Sequence, residues 1–212
     1  MTTGGHQMNF YETHILPHIL NFAMKQDDMT RRRARLIPEA EGRVLEIGCG
    51  SGHNMAHYSA RATELIAIEP SPKLREMTLR AAKNANRAID LRDAGAEAIP
   101  LDDASIDTVV TTWTLCTIAD AHTALAEMRR VLKPSGRLLF AEHGRAPDEA
   151  VRKWQNRLNP AWRVIGGGCN LNRAIEELIG SAGFEIEKLD MAYEEKAPKF
   201  AGFMYEGSAR RG

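Results

Sequence analysis

The sequence predicts an α/β domain with a mostly parallel sheet, helices on both faces and an antiparallel addition at the C-terminal edge. Three observations predict this fold. Short apolar runs alternate with helical segments, a glycine-rich turn follows the first run, and the last two strand candidates have no helix between them. Because parallel neighbours need a crossover connection, strands and helices that take turns along a chain are typical of a parallel sheet.

The strands of the parallel part are predicted from four apolar runs. Each run lacks a strict alternation of apolar and polar residues, which is the pattern of a strand buried on both faces. The runs span residues 44–47, 65–68, 108–111 and 138–141.

Helices are predicted in the intervals between these runs. Apolar residues at helical spacing indicate helices over residues 71–87 and 120–132. Asp120 is expected to cap the second helix, which should end before the stop and turn signal Lys133-Pro134-Ser135-Gly136. Near the N-terminus, residues 15–24 predict a short helix that acts as a lid, packs on the domain or lies on a surface.

The C-terminal part departs from this alternation. Residues 184–193 and 200–205 are successive strand candidates, expected to pair antiparallel at the sheet edge. With 212 residues, no internal repeat and no low-complexity linker, the chain is expected to form one domain. Within it, residues 1–42 form a helical lid or packing segment and residues 43–212 carry the sheet.

Composition argues against two classes of partner. Lys+Arg and Asp+Glu both number 28, so the formal net charge is zero. Nucleic-acid-binding proteins usually carry a positive excess that neutralises phosphates, and therefore no nucleic-acid partner is expected. No stretch approaches the roughly 18 apolar residues of a membrane-spanning helix, so membrane contact is expected to be peripheral at most. The N-terminal residues also lack the pattern of a secretory signal.

The three cysteines, Cys49, Cys116 and Cys169, are interpreted as isolated residues. Their number is odd, their spacings are wide and no CxxC pair is present, so neither a disulfide framework nor a structural zinc site is predicted. A reducing compartment suits this usage, and a cytoplasmic location is expected.

Histidine pairs and a basic run have competing interpretations. His14 with His18, and His53 with His57, have the spacing of one helix face, but no third ligand is placed with either pair and no metal is predicted. The basic run at residues 31–35 is interpreted as a solvated helix face, in preference to a site that attracts an anionic substrate or a lipid headgroup.

The strongest local signal is the sequence Glu46-Ile47-Gly48-Cys49-Gly50-Ser51-Gly52, which follows the first predicted strand and is expected to open a helix at His53. Glycines permit a tight turn and let a ligand approach the backbone closely. The loop lacks the Lys-Ser/Thr ending of a phosphate-binding loop, and His53 occupies a position where the dinucleotide pattern requires glycine. Glu69 ends the second strand, 21 residues after Gly48, where a carboxylate can bind both hydroxyls of a ribose.

These residues resemble the first motif of the class I S-adenosylmethionine-dependent methyltransferases, ExGxGxG, together with the acid that ends their second strand. The resemblance extends from about Arg43 to His143. It implies a Rossmann-like fold with a seven-stranded sheet, S-adenosylmethionine as the cofactor and S-adenosylhomocysteine as its product. It also implies that the glycine loop passes under the methionine part of the cofactor and that Glu69 holds the ribose.

Residues 95–101 and 105–110 resemble the run DAExLPFxDxSFDxV of the same family. Gly95 stands where the family often has an aspartate that contacts the adenine amine, so the backbone of residues 94–96 or the nearby Asp93 is expected to hold adenine. Asp107 is interpreted as a structural acid before the fourth strand. The expected cofactor-binding residues are Glu46, Gly48, Gly50, Gly52, Asn54, Glu69, Pro70, Gly95, Ala96, Glu97, Thr112, Trp113 and Leu115.

Further motifs recur in the order seen in the methyltransferase-like 7 group, the animal thiol S-methyltransferases. They are Leu115-Cys116-Thr117, Glu142-His143, Asn159-Pro160-Ala161-Trp162 and Gly168-Cys169-Asn170-Leu171, with a looser match from Asn21 to Arg33. The resemblance implies methyl transfer to a small molecule, with a thiol as the first choice. A quinone-type C-methyltransferase and a lipid or amine N-methyltransferase share the loop and the acid and stay open, as does a cofactor-binding protein without catalysis. The animal proteins begin with a hydrophobic anchoring helix, where this sequence has only the short segment at residues 15–24.

The acceptor site is expected beside the cofactor. His143 follows the fifth strand and is the candidate catalytic base, although a histidine that orders the loop after Glu142 is an equal alternative. Cys116 is expected to line the site, and Asn170 either reaches into it or caps a loop. Tyr11 and His14, with Phe10, are expected to form a lid that excludes water. The expected acceptor-site residues are therefore Tyr11, His14, Cys116, His143 and Asn170.

Overall fold

A seven-stranded sheet forms the centre of the computed structural model, which describes Tyr11 and residues 15–212. Its strands are β1 (Gly42–Ile47), β2 (Ala62–Ile68), β3 (Asp90–Arg92), β4 (Ile106–Thr112), β5 (Leu132–His143), β6 (Phe184–Tyr193) and β7 (Phe203–Arg211). They lie in the order β3-β2-β1-β4-β5-β7-β6. The first five strands are parallel to one another, whereas β7 is antiparallel to both β5 and β6. The predicted mostly parallel sheet with an antiparallel C-terminal edge is confirmed.

Helices pack on the sheet, and two of them come before the first strand in the sequence. Those of the described residues are α1 (Leu16–Ala23), α2 (Asp27–Leu36), α3 (Pro72–Asn84), α4 (Ala121–Val131), α5 (Glu149–Ile165) and α6 (Ile175–Ser181), with a short 3-10 helix at Ile37–Glu39. The predicted cap of α4 is confirmed, because the Asp120 carboxylate accepts a hydrogen bond from the Thr123 N–H at 3.0 Å. None of the described helices is long and apolar enough to cross a membrane.

The central strands send alternate side chains into two apolar cores. Leu45 and Ile47 of β1 pack in one core with Val109 of β4, and all three are almost completely buried. Val44 and Val110 point the other way and pack in the second core. Because successive side chains of a strand point to opposite faces, both faces of the sheet are covered, which explains why these runs are apolar at nearly every position.

The prediction that a helix begins at His53, after the glycine loop, is wrong. Residues 53–57 form successive turns, in which the His57 N–H donates to the Asn54 carbonyl at 2.9 Å. Asn54 buries its side chain and donates to Glu46 and Thr112, at 2.9 and 3.0 Å. These bonds attach the segment to the ends of β1 and β4.

Two strand boundaries also differ from the prediction. β5 begins at Leu132, directly after α4, and its pairing with β4 skips from Leu132 to Arg137, so the predicted turn is an irregularity within the strand. β7 begins at Phe203 and runs to Arg211, because it pairs with β5 and β6 on both sides. The interpretation of Asp107 as a structural acid agrees with its contacts, since its carboxylate accepts from the Arg43 N–H at 2.8 Å and Lys133 Nζ at 2.7 Å.

Candidate active site

A cavity of about 450 Å³ opens where β1, β2 and β4 end. Ligands of open α/β sheets bind at this carboxyl edge of the strands. Most of the expected cofactor-binding residues line it: Gly48, Gly50, Asn54, Glu69, Pro70, Gly95, Ala96, Glu97, Thr112 and Trp113. Glu46, Gly52 and Leu115 are not among the described lining residues, and all three are buried behind the cavity wall.

The glycine loop leaves room for a ligand at Gly50. Both Gly48 and Gly50 have positive φ angles, +61° and +56°, a conformation that other residues rarely adopt. A Cβ on Gly48 would lie 2.5 Å from the Thr114 side chain, so this glycine is required for packing against the end of β4. A Cβ on Gly50 would meet its nearest protein atom at 3.9 Å. The space beside Gly50 therefore belongs to the cavity, where a ligand can approach the backbone.

Glu69 holds the glycine loop at the end of β2. One carboxylate oxygen accepts from the Gly50 N–H at 3.0 Å and the other from the Ser71 N–H at 2.9 Å. The side chain is buried yet lines the cavity. Burial raises the pKa of Glu69, while the two backbone hydrogen bonds oppose this rise. Each oxygen keeps capacity to accept another hydrogen bond, which is the requirement for binding neighbouring hydroxyls.

Another part of the cavity wall is formed by the residues that follow β3. Ala94, Gly95 and Ala96 lie there, opposite Leu74 of α3. Asp93 is not among the described lining residues. Its exposed carboxylate pairs with Arg75 at 2.8 Å. Of the two alternatives expected to hold adenine, only the segment at residues 94–96 is among the described lining residues.

A buried polar network supports the part of the cavity wall beside the glycine loop. The Arg33 Nε–H donates to Asn54 Oδ1 at 3.0 Å, and Asn54 in turn donates to Glu46. Tyr58 also donates to Glu46, at 2.7 Å. Burial raises the pKa of Glu46 to about 7 and lowers the pKa of Arg33 to about 10. The network places a guanidinium in the wall of the cavity, beside the glycine loop.

The basic run at residues 31–35 is only in part the solvated helix face that the sequence favours, because Arg31 and Arg35 are exposed whereas Arg32 and Arg33 are buried. Arg32 and Arg33 are only 6% and 4% exposed. Arg32 pairs with Glu194 and, at 2.8 Å, with Glu206 of β7. Arg35 is exposed and reaches Glu206 at 3.0 Å. The run attaches α2 to β7 and to the segment that follows β6, and it supplies one cavity residue. The periodicity of apolar residues does not predict these contacts.

Trp113 forms a wall shared with a second, smaller cavity. Its φ angle is +51°, which is unusual for a bulky residue and tends to occur at functional sites. The Arg33 guanidinium lies over its ring, 4.6 Å from the centroid. The second cavity measures about 200 Å³, and both cavities share Leu20 and Met24 of the α1 region with Trp113. The two spaces therefore meet at this wall.

The second cavity is mostly apolar and contains a cluster of reactive side chains. Its wall includes Met29, Trp162 and Met204 in addition to the shared residues. Cys116 and His143, two of the expected acceptor-site residues, line it together with Cys169. Met24, Trp162 and Cys169 were not selected from the sequence, although Trp162 and Cys169 lie in the motifs that carry the resemblance.

The remaining expected acceptor-site residues lie elsewhere or cannot be placed. Asn170 is not among the described lining residues, and its amide donates to the Cys116 and Gly168 carbonyls at 2.9 and 3.0 Å. This contact agrees with the loop-cap alternative. The Tyr11 hydroxyl donates to the Ile165 carbonyl at 3.0 Å at the end of α5. His14 lies outside the described residues.

Cys116, His143 and Cys169 come together, so two of the three cysteines are not isolated. Their sulfur atoms lie 3.6 Å apart, and Cys169 Sγ lies 3.5 Å from His143 Nδ1. Contact with Cys116 lowers the pKa of Cys169, while the same contact and burial raise the pKa of Cys116. His143 is 6% exposed, and its Nε2 has no hydrogen-bond partner among the described residues.

Three loops position this cluster. Glu142, fully buried at the end of β5, accepts from the Thr114 N–H at 3.1 Å and the Cys116 N–H at 3.3 Å. Burial raises the pKa of Glu142. Gly168, with a φ angle of +94°, turns the chain after α5 so that the Asn170 N–H reaches the Cys116 carbonyl at 2.8 Å. The loop after β4 is thus tied to both neighbouring loops.

Known proteins resemble this chain in sequence and in fold. Residues 45–140 match a family described as a methyltransferase domain. The rat thiol S-methyltransferase TMT1B is 34% identical over 151 residues, covering 69% of this chain and 62% of that protein. The human thiol S-methyltransferase TMT1A is 30% identical over 176 residues, covering 78% of this chain and 71% of that protein. The chain thus spans about two thirds of the length of these relatives.

A solved structure shares the fold. It is a methyltransferase from Thermotoga maritima described as a possible histamine N-methyltransferase, with a TM-score of 0.64 and 20% identity. It covers 94% of this chain, and this chain covers 99% of it. Together with the glycine loop and Glu69, these similarities identify the chain as a class I S-adenosylmethionine-dependent methyltransferase of the family that contains the thiol S-methyltransferases.

Proposed function

We propose that this chain transfers the methyl group of S-adenosylmethionine to the sulfur of a small, mainly apolar thiol. The observation that carries the proposal is the junction of two cavities. The cavity beside the glycine loop meets a smaller apolar cavity that holds a buried histidine. The similarity to thiol S-methyltransferases supports a thiol as the acceptor.

The residues of the larger cavity fit the cofactor. The open space beside Gly50 accommodates a ligand against the backbone, and Glu69 can accept the ribose hydroxyls. Arg33 provides a positive charge for the carboxylate of the methionine part. When bound, the cofactor supplies a methyl group already activated as a sulfonium. The task of the chain is then to orient the acceptor and exclude water.

The smaller cavity suits an apolar acceptor. Met29, Trp162 and Met204 give it an apolar wall that can bind the body of a small thiol. Trp113 lines both cavities, which supports binding of the acceptor next to the cofactor. Alignment of two reactants in this way can lower a barrier by several kcal/mol.

His143 is the residue that we propose promotes loss of the thiol proton. The thiolate is the nucleophile, and a free thiol with a pKa of about 8.5 is only slightly ionised at neutral pH. His143 Nε2 is buried and has no partner among the described residues, so it is free to accept this proton. The neighbouring Cys169 fixes the ring through Nδ1.

The test is a comparison of acceptors. The purified protein is supplied with S-adenosylmethionine and either an alkanethiol series, a quinol precursor or phosphatidylethanolamine vesicles, and S-adenosylhomocysteine formation is measured. We expect transfer to the thiols, with the thioether identified by mass spectrometry. Transfer to the quinol or the amine alone would overturn the thiol assignment. Cofactor binding without turnover of any acceptor would favour a non-catalytic protein.

A further inference from the structure

We propose that Cys116, His143 and Cys169 form a binding site for one Zn²⁺ ion, with the fourth coordination position open to the smaller cavity. The three donor atoms lie within 4.8 Å of one another. Two thiolates and an imidazole with one open position form a ligand set known from catalytic zinc sites.

The two distances from Cys169 to the other donors match those of a tetrahedral zinc site, and the distance between Cys116 and His143 is within 4.8 Å. Zinc–sulfur bonds of about 2.3 Å and zinc–nitrogen bonds of about 2.0–2.1 Å place two sulfurs about 3.8 Å apart and a sulfur and a nitrogen about 3.6 Å apart. The sulfur atoms of Cys116 and Cys169 are 3.6 Å apart, and Cys169 Sγ lies 3.5 Å from His143 Nδ1. Cys169 therefore needs little movement relative to the other two ligands to share an ion with them.

The surroundings hold the three ligands in place, and no carboxylate of the described residues joins their donor atoms. Asp28 and Glu194 also line the cavity, where they pair with Arg31 and Arg32. Cys116 and His143 are almost completely buried. Glu142, the nearest acid in sequence, accepts hydrogen bonds from Thr111 Oγ1 and two backbone N–H groups, so it acts as a support for the loop of Cys116. Asn170 ties the loop of Cys169 to the same segment.

Charge balance favours a divalent ion in this apolar position. Binding displaces the thiol protons of Cys116 and Cys169, and the two thiolates neutralise the ion without any redox change. The open position faces a cavity of about 200 Å³ in which the acceptor is proposed to bind.

The role of the ion rests on the proposed function. An acceptor thiol that binds at the open position releases its proton to solvent and remains as a metal-bound thiolate. The sulfur then forms its bond to the methyl carbon as the carbon–sulfur bond of the sulfonium breaks, and the neutral thioether leaves the ion. In the metal-bound form Nδ1 of His143 is coordinated and the proton stays on Nε2, so the ion promotes ionisation of the thiol and His143 acts as its ligand. In the metal-free form His143 Nε2 accepts the proton, as proposed above.

The first experiment uses Co²⁺ as a spectroscopic probe. The full chain, reduced and stripped of metal, is titrated without oxygen. We expect one equivalent to bind, with a thiolate-to-cobalt charge-transfer band and the intense visible bands of tetrahedral coordination, and Zn²⁺ to displace it. An alkanethiol should then shift the visible bands. Binding of less than one equivalent, octahedral spectra, or bands that persist in the variant Cys169→Ser would overturn the site.

Matched variants separate this site from other histidines and cysteines. Cys116→Ser and Cys169→Ser should weaken Co²⁺ binding by more than about a hundredfold, since changes outside a ligand shell already cost 10–100-fold. Two control variants should keep the Co²⁺ absorption bands. They are Cys49→Ser, which changes the third cysteine, and His122→Ala, which changes an exposed histidine. Circular dichroism of each variant verifies that it is folded.

The two proposals fail in different ways. Stoichiometric Co²⁺ binding without methyl transfer to any thiol would leave the site standing and refute the thiol function together with the catalytic role of the ion. Methyl transfer to thiols by protein that binds no Co²⁺ would refute the metal site and leave the function.

Discussion

The cofactor end and the acceptor end of the active site are built in opposite ways. The cofactor end consists of short segments that directly follow parallel strands, with residues 46–54 and 69–71 joined by the bond between the Gly50 N–H and Glu69. The acceptor end brings together His143 from the end of β5, Cys116 from the loop after β4 and Cys169 from the loop after α5. A site made of backbone leaves a local pattern in the sequence, whereas a site made of distant side chains depends on the whole fold.

The largest expected effects concern the glycine loop, where two glycines have different tasks. The variant Gly50→Ala adds a methyl group to the space that the cofactor needs, and we expect S-adenosylmethionine affinity to fall by more than about a hundredfold. Its stability should fall by only about 1–2 kcal/mol, the cost of a positive φ angle for alanine. Calorimetric titration and urea unfolding measure the two quantities.

Gly48→Ala is the matched variant. Its Cβ would lie 2.5 Å from Thr114, so the end of β4 must move and stability should fall more than in Gly50→Ala. If Gly50→Ala binds the cofactor as tightly as the parent chain, the glycine loop does not form the cofactor site, and the comparison of the two ends fails.

The next effect concerns Glu69. The variant Glu69→Ala should weaken S-adenosylmethionine binding by about 10- to 150-fold, because a hydrogen bond to a charged group contributes about 1.5–3 kcal/mol. The control is Asp93→Ala, which removes an exposed acid paired with Arg75. We expect it to leave the affinity nearly unchanged. Equal losses in the two variants would contradict the assignment of the ribose to Glu69.

The difference between the two ends also explains what could be predicted from the sequence. The strands, Glu69 and the glycines follow from patterns within a few residues, and the geometry around them agrees with those patterns. Cys169 lies 53 residues from Cys116, so no ligand spacing could reveal their contact. The burial of Arg33 could not be predicted, because a basic run is typical of a solvated helix face. A guanidinium is buried only where the fold supplies partners such as Asn54.

His143 gives a smaller, pH-dependent effect. A free thiol is only a few per cent ionised at pH 7, so the group that promotes ionisation can raise the rate by roughly tens of times. The variant His143→Ala should therefore lose roughly that factor with thiols at pH 7 and much less near pH 9, where the thiolate forms unaided. The pH profile of the methyl transfer rate measures this. An equal loss at both pH values would indicate that His143 orders the loop after Glu142 and takes no part in ionisation.

Asn170 is expected to give the smallest effect, and it tests whether the acceptor end depends on ties between loops. Its amide donates to the Cys116 and Gly168 carbonyls, so Asn170→Ala should reduce the free energy of unfolding by about 1–2 kcal/mol. S-adenosylmethionine affinity should not change. Asn172→Ala is the control, because its amide makes only a surface contact with Asn156. A higher KM for the thiol with unchanged stability would instead place Asn170 in contact with the acceptor. Part of the acceptor end could then be predicted from the local motif at residues 168–171.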